Sequence, residues 1–207
     1  MQKQLGLLRR HFLPSRLDPT LVYSPRELDR ARAYRVLAHA EMEAYLEERA
    51  TSIVRQALAE WKKSGFVSRT VAALLAFSGR PMELPPESLT APKPNQVKDW
   101  PDKVYLTRKI DSAARSFFYT LEHNHGVKEE NILGLMLPIG VPHDSLDPVW
   151  LAAMNSFGET RGEAAHSSPL SPSVKYVPHP VDELSTVNQL VPGFIGLDEH
   201  INMLGTH

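Results

Sequence analysis

Cysteine is absent from all 207 residues of the sequence. A disulfide framework, a thiolate zinc site, an iron–sulfur cluster and a cysteine nucleophile are therefore excluded. Long apolar segments are missing as well, because the N-terminal stretch MQKQLGLLRRHFLP lacks the apolar core of a signal peptide and the longest apolar run, VAALLAF, is far too short to span a bilayer. We expect a cytoplasmic protein with no membrane partner.

Strand patterns and hairpin turns are also lacking, and helical patterns take their place. Ser24, Pro25 and Glu27 form a capping-box sequence with proline at the first helical position. Beyond them, apolar residues recur at helical spacing with no glycine or proline between them. This pattern predicts one long helix over residues 25–63.

Further helices are predicted on both sides of a proline-rich connector. Residues 80–101 hold six prolines, which favours a loop or an extended segment rather than a helix. The other predicted helices are a short one from Ser68 to about Ser78, one with its apolar seam from Leu106 to Leu121, a short one around EENILGLML, one that begins after Asp147, and a final one from Leu184 to Leu204 that bends near Pro192 and Gly193.

These helices predict an all-α fold, an antiparallel bundle of four long helices with short extra helices in the loops. We place an N-terminal arm at residues 1–24 and a helical domain at 25–207. Charge is uneven along the chain: residues 1–126 hold 20 Lys/Arg against 14 Asp/Glu, and residues 127–207 hold 3 against 10. The asymmetry allows a local basic surface for a polyanion.

Motifs for cofactors and metals are missing. The sequence has no glycine-rich phosphate loop, no dinucleotide fingerprint, no GxSxG elbow, no HExxH pair and no Glu-x-x-His pair for a di-metal site. His123 and His125 stand close together at a predicted helix end, where the helix dipole favours imidazolium over metal binding. We expect no metal and no cofactor.

The stretch SFGETRGEAAHSS sets Arg161 and His166 five positions apart. Metal-free RNA cleavage needs a base for the ribose 2′-OH and a cation for the charge on the phosphorus, and histidine and arginine supply these. On a helix the two side chains would lie about 140° apart with a rise of about 7.5 Å, so both could flank one phosphate. With three allowed offsets, the fourteen arginines and nine histidines give roughly two chance matches to the pattern of an arginine, four to six residues and a histidine.

A second match to the spacing, Arg32 with His39, lies inside the long helix. There Arg35, His39 and Glu43 repeat every four residues, which is typical of a solvated stripe with weak ion pairs. Around His166, small residues would let a polyanion approach the backbone. The alternative is that Arg161 pairs with a nearby carboxylate and His166 caps a helix end.

Three stretches, in this order, resemble the HEPN superfamily of helical-bundle ribonucleases, in particular its RiboL-PSP-type branch. They are RAYRVLAHAEMEAYLEE, LMLPIGVPHDSLDPVWLAAMNSFGETRGEAAHSS and VDELSTVNQLVPGFIGLDEHINML, which together span about residues 25–204. The resemblance implies a HEPN-like bundle of four to five helices, a homodimer, and an endoribonuclease that cuts RNA without metal and leaves a 2′,3′-cyclic phosphate. It also implies a toxin or antiviral defence effector, held silent by an antitoxin or another regulatory partner.

By the same resemblance, Arg161 would stabilise the phosphorane and His166 would handle the 2′-OH proton, in a cleft shared by two subunits. Arg35, His39, Glu43 and Ser167 would line or support that cleft. Gly162 departs from the family, in which a polar residue commonly follows the arginine. That departure keeps open an inactive HEPN-like module that binds RNA or nucleotides, or serves as a scaffold.

Overall fold

The computed structural model describes residues 1–80, 104–166 and 178–205, and for residues 161–166 it describes the helical backbone alone. Within these ranges it contains α-helices, one short 3-10 helix at His143–Ser145, and no strand. The predicted all-α bundle is confirmed. Apart from Arg80, the proline-rich connector predicted at 80–101 lies outside the described residues. The helices are α1 (Gln2–Phe12), α2 (Pro25–Ser64), α3 (Arg69–Phe77), α4 (Leu106–Glu122), α5 (Glu129–Met136), α6 (Pro148–His166) and α7 (Pro180–Leu204).

Helix α2 begins and ends where its sequence predicts. The Ser24 hydroxyl accepts from the Glu27 backbone N–H at 3.4 Å, while the Glu27 carboxylate accepts from the Ser24 backbone N–H at 2.9 Å. These two bonds satisfy donors that the first helical turn leaves without intrahelical partners. At the other end Gly65 adopts a φ of 74°, a left-handed conformation that other residues rarely take. Both boundaries are therefore set by local chemistry.

Helix α2 is the centre of the bundle and packs against each of the other six described α-helices. Contacts along its length give the directions. Lys62 pairs with Asp111 of α4 at 3.8 Å while Glu47 accepts from Asn124 just beyond α4, so these helices are antiparallel. The apolar core follows the buried face of α2 and continues on α5, α6 and α7; its fully enclosed members include Met42, Leu46, Ile132, Met136, Met154, Phe157 and Phe194.

Residues 1–24, predicted as an arm, contain α1, which packs along the first half of α2. Leu5 is buried in the core, and Met1, Leu8 and Phe12 pack against it. The N-terminal amine lies 3.6 Å from the Glu41 carboxylate. Among the described residues, no helix combines the length and the hydrophobicity that a bilayer crossing requires.

Helix α7 continues through Pro192, and the residue after that proline meets α6. A Cβ placed on Gly193 would lie 2.2–2.3 Å from atoms of the Trp150 indole ring. The indole Nε1–H donates to the Leu190 carbonyl at 3.0 Å, and the ring meets Phe194 edge to face at 5.2 Å between centroids. Glycine at position 193 therefore allows Trp150 to lie directly on the α7 backbone.

We expect Gly193→Ala to lower the free energy of unfolding by about 2–3 kcal/mol, because the new methyl group must displace a buried indole. The matched control is Gly196→Ala, one turn later on the same helix, where a Cβ meets nothing within 4 Å. That change should raise the free energy of unfolding by about 0.5–1 kcal/mol through helix propensity. Urea unfolding followed by circular dichroism measures both; equal effects of the two alanines would contradict this packing.

Candidate functional site

The Arg35 side chain joins three helices in the interior. It lies on α2 and is 4% exposed. One guanidinium nitrogen, Nη1, donates to Glu183 Oε2 of α7 at 3.0 Å, and the other, Nη2, donates to the Thr160 hydroxyl of α6. Removing either charged partner would leave the other buried without compensation, which is far more costly than losing a surface pair. The contact therefore fixes α6 and α7 against the same point of α2.

Phe157 of α6 lies against both basic residues of this region. The Arg35 guanidinium carbon is 4.5 Å from the centre of the Phe157 ring, and the His39 imidazole stacks on the same ring at 5.8 Å with an interplanar angle of 22°. On the far side of His39, its Nδ1 is 3.7 Å from Glu43 Oε2. We call Arg35, His39, Glu43, Phe157, Thr160 and Glu183 the polar junction. It runs from a buried carboxylate to a partly exposed one.

The interpretation of Arg35, His39 and Glu43 as a solvated stripe is wrong, because Arg35 and His39 are 4% and 2% exposed. Charged residues at four-residue spacing show that side chains share a helix face but not which side of the molecule that face meets. Here the face also carries Ala31, Tyr34, Ala38 and Met42, all buried. Because α2 is surrounded on several sides, its buried face is wide enough to include the charged positions.

Glu183, Thr160 and Phe157 were missed by the sequence reasoning. Glu183 stands four residues before Val187 and seven before Leu190, which places a carboxylate on the apolar face of α7. This position on the apolar face was the one sequence feature that indicated a charged partner for Glu183. An ionised side chain is almost never buried without such a partner. Phe157 and Thr160 gave no comparable signal, because α6 has small and apolar residues on most of its circumference.

Burial changes the acidity of the junction. It raises the pKa of the Glu183 carboxyl above its usual range, because the loss of surrounding water outweighs the attraction of the Arg35 guanidinium. Burial likewise raises the pKa of the neighbouring Tyr34 hydroxyl to about 12; the positive charge of Arg9 opposes that shift, and the carboxylate of Glu183 adds to it. The folded protein thus binds a proton at Glu183 more readily than the unfolded chain does.

The predicted pair lies at the C-terminal end of the helix that the junction holds. Arg161 directly follows Thr160, and His166 is the last residue of α6. The side chains of both lie outside the described residues, as does the whole of Ser167. The structure therefore brings the α6 segment that leads into Arg161 against Arg35 and His39.

Within the described ranges, no group of three His, Asp or Glu side chains is placed to hold a metal ion. His123 instead bonds within its own helix end. Its Nδ1 is 2.8 Å from the Tyr119 carbonyl oxygen, and its ring stacks on Tyr119 at 4.1 Å. His125 is exposed.

We expect Glu183→Gln to remove one pH dependence of stability. The pKa of Glu183 in the folded protein lies above its unfolded value of about 4.3. Its contribution to the free energy of unfolding therefore falls as the pH rises between the two values, by at most about 1.4 kcal/mol per pH unit. Glutamine cannot titrate. The stability of the wild type relative to the variant, measured by urea unfolding from about pH 4.5 to 7.5, should decrease with pH.

The control for loss of one carboxylate is Glu130→Gln, at an exposed position of α5. Its stability difference from the wild type should lack the decrease seen with Glu183→Gln. A wild-type advantage over Glu183→Gln that grows with pH would mean that the attraction of the Arg35 charge exceeds the effect of burial, so that the pKa of Glu183 is lowered rather than raised.

Comparisons with known proteins leave the family of this chain open. No family model matches it, and no curated protein or solved structure matches it. The resemblance to HEPN ribonucleases stays a prediction. The polar junction and the sequence of the α6 C-terminus are therefore the observations on which a function has to be based.

Proposed function

We propose that this chain is a metal-independent endoribonuclease of the HEPN type, active as a homodimer. The observation that carries the proposal is the polar junction, in which buried Arg35 and His39 lie directly against the helix turn that leads into Arg161 and Arg35 is paired with a buried carboxylate. Buried charged groups are weak contributors to stability and collect at functional sites. A charged junction beside an Arg…His motif supports a site built to hold that motif in place.

In the proposed reaction the ribose 2′-oxygen attacks the adjacent phosphorus. His166 accepts the 2′-OH proton, the P–O5′ bond breaks, and the leaving 5′-oxygen takes up a proton from water. The Arg161 guanidinium stays charged throughout and offers two N–H groups to the phosphorane oxygens. The products are a 2′,3′-cyclic phosphate and a 5′-hydroxyl.

Arg35 acts as a positioning residue in this proposal. Its guanidinium is already engaged by Glu183 and Thr160 in the interior, so its effect on RNA would be exerted through α6. Glu43 is partly exposed and lies 3.7 Å from the buried His39 imidazole, and this supports a role for the pair at the edge of the cleft. We further propose a toxin or defence effector that an antitoxin or regulatory partner keeps silent.

A binding module without catalysis is the second candidate. Gly162 favours it, because glycine after Arg161 removes the polar side chain that commonly assists the motif. Such a module predicts RNA binding that weakens steeply with added salt and depends little on His166, with no cleaved product. A purely structural bundle predicts neither binding nor cleavage.

RNA cleavage in the presence of EDTA tests the proposal. We expect the wild type to cut a single-stranded RNA into fragments that end in a 2′,3′-cyclic phosphate. His166→Ala and Arg161→Ala should each lose about 10²–10⁴-fold in rate, because proton transfer and charge stabilisation are removed separately. Arg161→Lys should recover only part of the loss, because the ammonium keeps the charge without the fork.

The matched control is His125→Ala, which removes an exposed histidine of a different helix end and should cut at the wild-type rate. Circular dichroism and light scattering establish that each variant is folded and has the wild-type oligomeric state. Undiminished cleavage by folded His166→Ala would overturn the catalytic assignment. Binding without any wild-type cleavage would favour the second candidate.

A further inference from the structure

One end of the bundle carries a concentration of positive charge where α1 approaches the start of α2. We call Arg9, Arg10, His11, Arg16, Arg26 and Arg30 the basic end; all six residues are exposed. The Arg30 guanidinium donates to the His11 carbonyl oxygen and so joins the two helices. Arg26 lies one turn before Arg30 on α2. The cationic side chains of two helices thus form one surface.

The charge of this surface is only partly neutralised by the protein itself. Arg16 has Asp18 at 3.9 Å. In the part of the chain that the structure describes, Arg9, Arg10, Arg26 and Arg30 make no salt bridge. The charge of Arg30 acts on the Glu27 carboxylate of the same helix, whereas those of Arg9, Arg10 and Arg26 are open to an external anion.

Helix electrostatics explains part of the surface and not the rest. Arg9, Arg10 and His11 occupy the last turn of α1, where a cation is favoured by the helix dipole. Arg26 stands in the first turn of α2, where the same dipole disfavours a cation. Helix electrostatics therefore does not account for the positive charge at Arg26, whereas binding of an external polyanion would.

The basic end lies next to the polar junction. The charge of Arg9 acts on the buried Tyr34 hydroxyl together with the charge of Glu183. Along α2, Arg30 precedes Arg35 by five residues, a rise of about 7.5 Å. His39 meets Phe157 and Arg35 meets Thr160, so α6 runs antiparallel to α2 and its C-terminal segment is directed toward the end of α2 that carries Arg26 and Arg30.

We propose that the basic end binds the phosphate backbone of single-stranded RNA and guides the strand to the polar junction. The choice of RNA rests on the proposed function. An anionic membrane fits less well, because the apolar residues of α1, Leu5, Leu8 and Phe12, pack against the core and leave its polar side to solvent. Leu21 and Val22 are exposed in the following connection, so the experiment includes a lipid arm.

The experiment measures binding of a fluorescein-labelled 2′-O-methyl oligouridylate, which has no 2′-OH and cannot be cut. The variant is Arg9→Ala/Arg10→Ala/Arg26→Ala; Arg30 is kept because it caps α1. Loss of three phosphate contacts should weaken binding at least about tenfold at low salt and make the slope of log K against log salt shallower by about 2. Arg26→Glu is a second variant, since a carboxylate at a helix start favours folding and should also weaken binding.

The matched control is Arg55→Ala/Lys62→Ala/Lys63→Ala, which removes three exposed cations from the opposite half of α2, about 44–56 Å from Arg26 along its axis. The control should keep the wild-type affinity and salt slope. An equal loss in both triple variants, or wild-type binding by the basic-end variants, overturns the proposal. The proposal is also overturned if the basic-end variants lose binding only to vesicles that contain phosphatidylserine. That result would assign the surface to lipid.

Failure of this inference can be distinguished from failure of the proposed function. The oligouridylate reports binding whether or not the protein cleaves RNA. If the protein cuts RNA in EDTA and the basic-end variants bind with wild-type affinity, the proposed ribonuclease activity stands and the proposed RNA-binding surface is wrong. If those variants bind more weakly but the protein cuts no RNA, the RNA-binding surface is supported and the proposed ribonuclease activity is wrong.

Discussion

The buried pair of Arg35 and Glu183 is the constraint on which the arrangement of the long helices depends. A charge taken out of water is tolerated only where its partner and its remaining hydrogen bonds are in place. Arg35 meets this condition with one bond to α7 and one to α6, while the raised pKa of Glu183 shows that the compensation is incomplete. Apolar contacts alone tolerate small slips between helices, whereas a paired guanidinium does not.

Helix boundaries were predictable because they depend on neighbours in sequence. The capping box at Ser24, the left-handed Gly65 and the Asp147 carboxylate that accepts from the Val149 N–H at 2.9 Å all act over a few residues. Which face of α2 is buried was less accessible, since that depends on how many helices surround it. For this reason the four-residue spacing predicts a stripe in solvent, although the stripe lies largely inside.

The candidate site was only partly predictable for a related reason. Resemblance brought Arg35, His39 and Glu43 together with Arg161 and His166, but spacing along α2 gave no partner for Arg35. Its partner, Glu183, is 148 residues away in sequence, and pairing over that distance is decided by the packing of the bundle. The junction is thus a property of three helices, and a pattern within one of them could not reveal it.

The Trp150 contact and the polar junction together fix the position of α6. Trp150 attaches α6 to α7 at Leu190, and Thr160, through Arg35, attaches it again near Glu183. The two attachments are about 15 Å apart along α6, so the helix is held against the bundle at two separate points. Arg161 directly follows the second of these attachments along the chain, so a displacement of α6 at Thr160 would also displace the start of the motif.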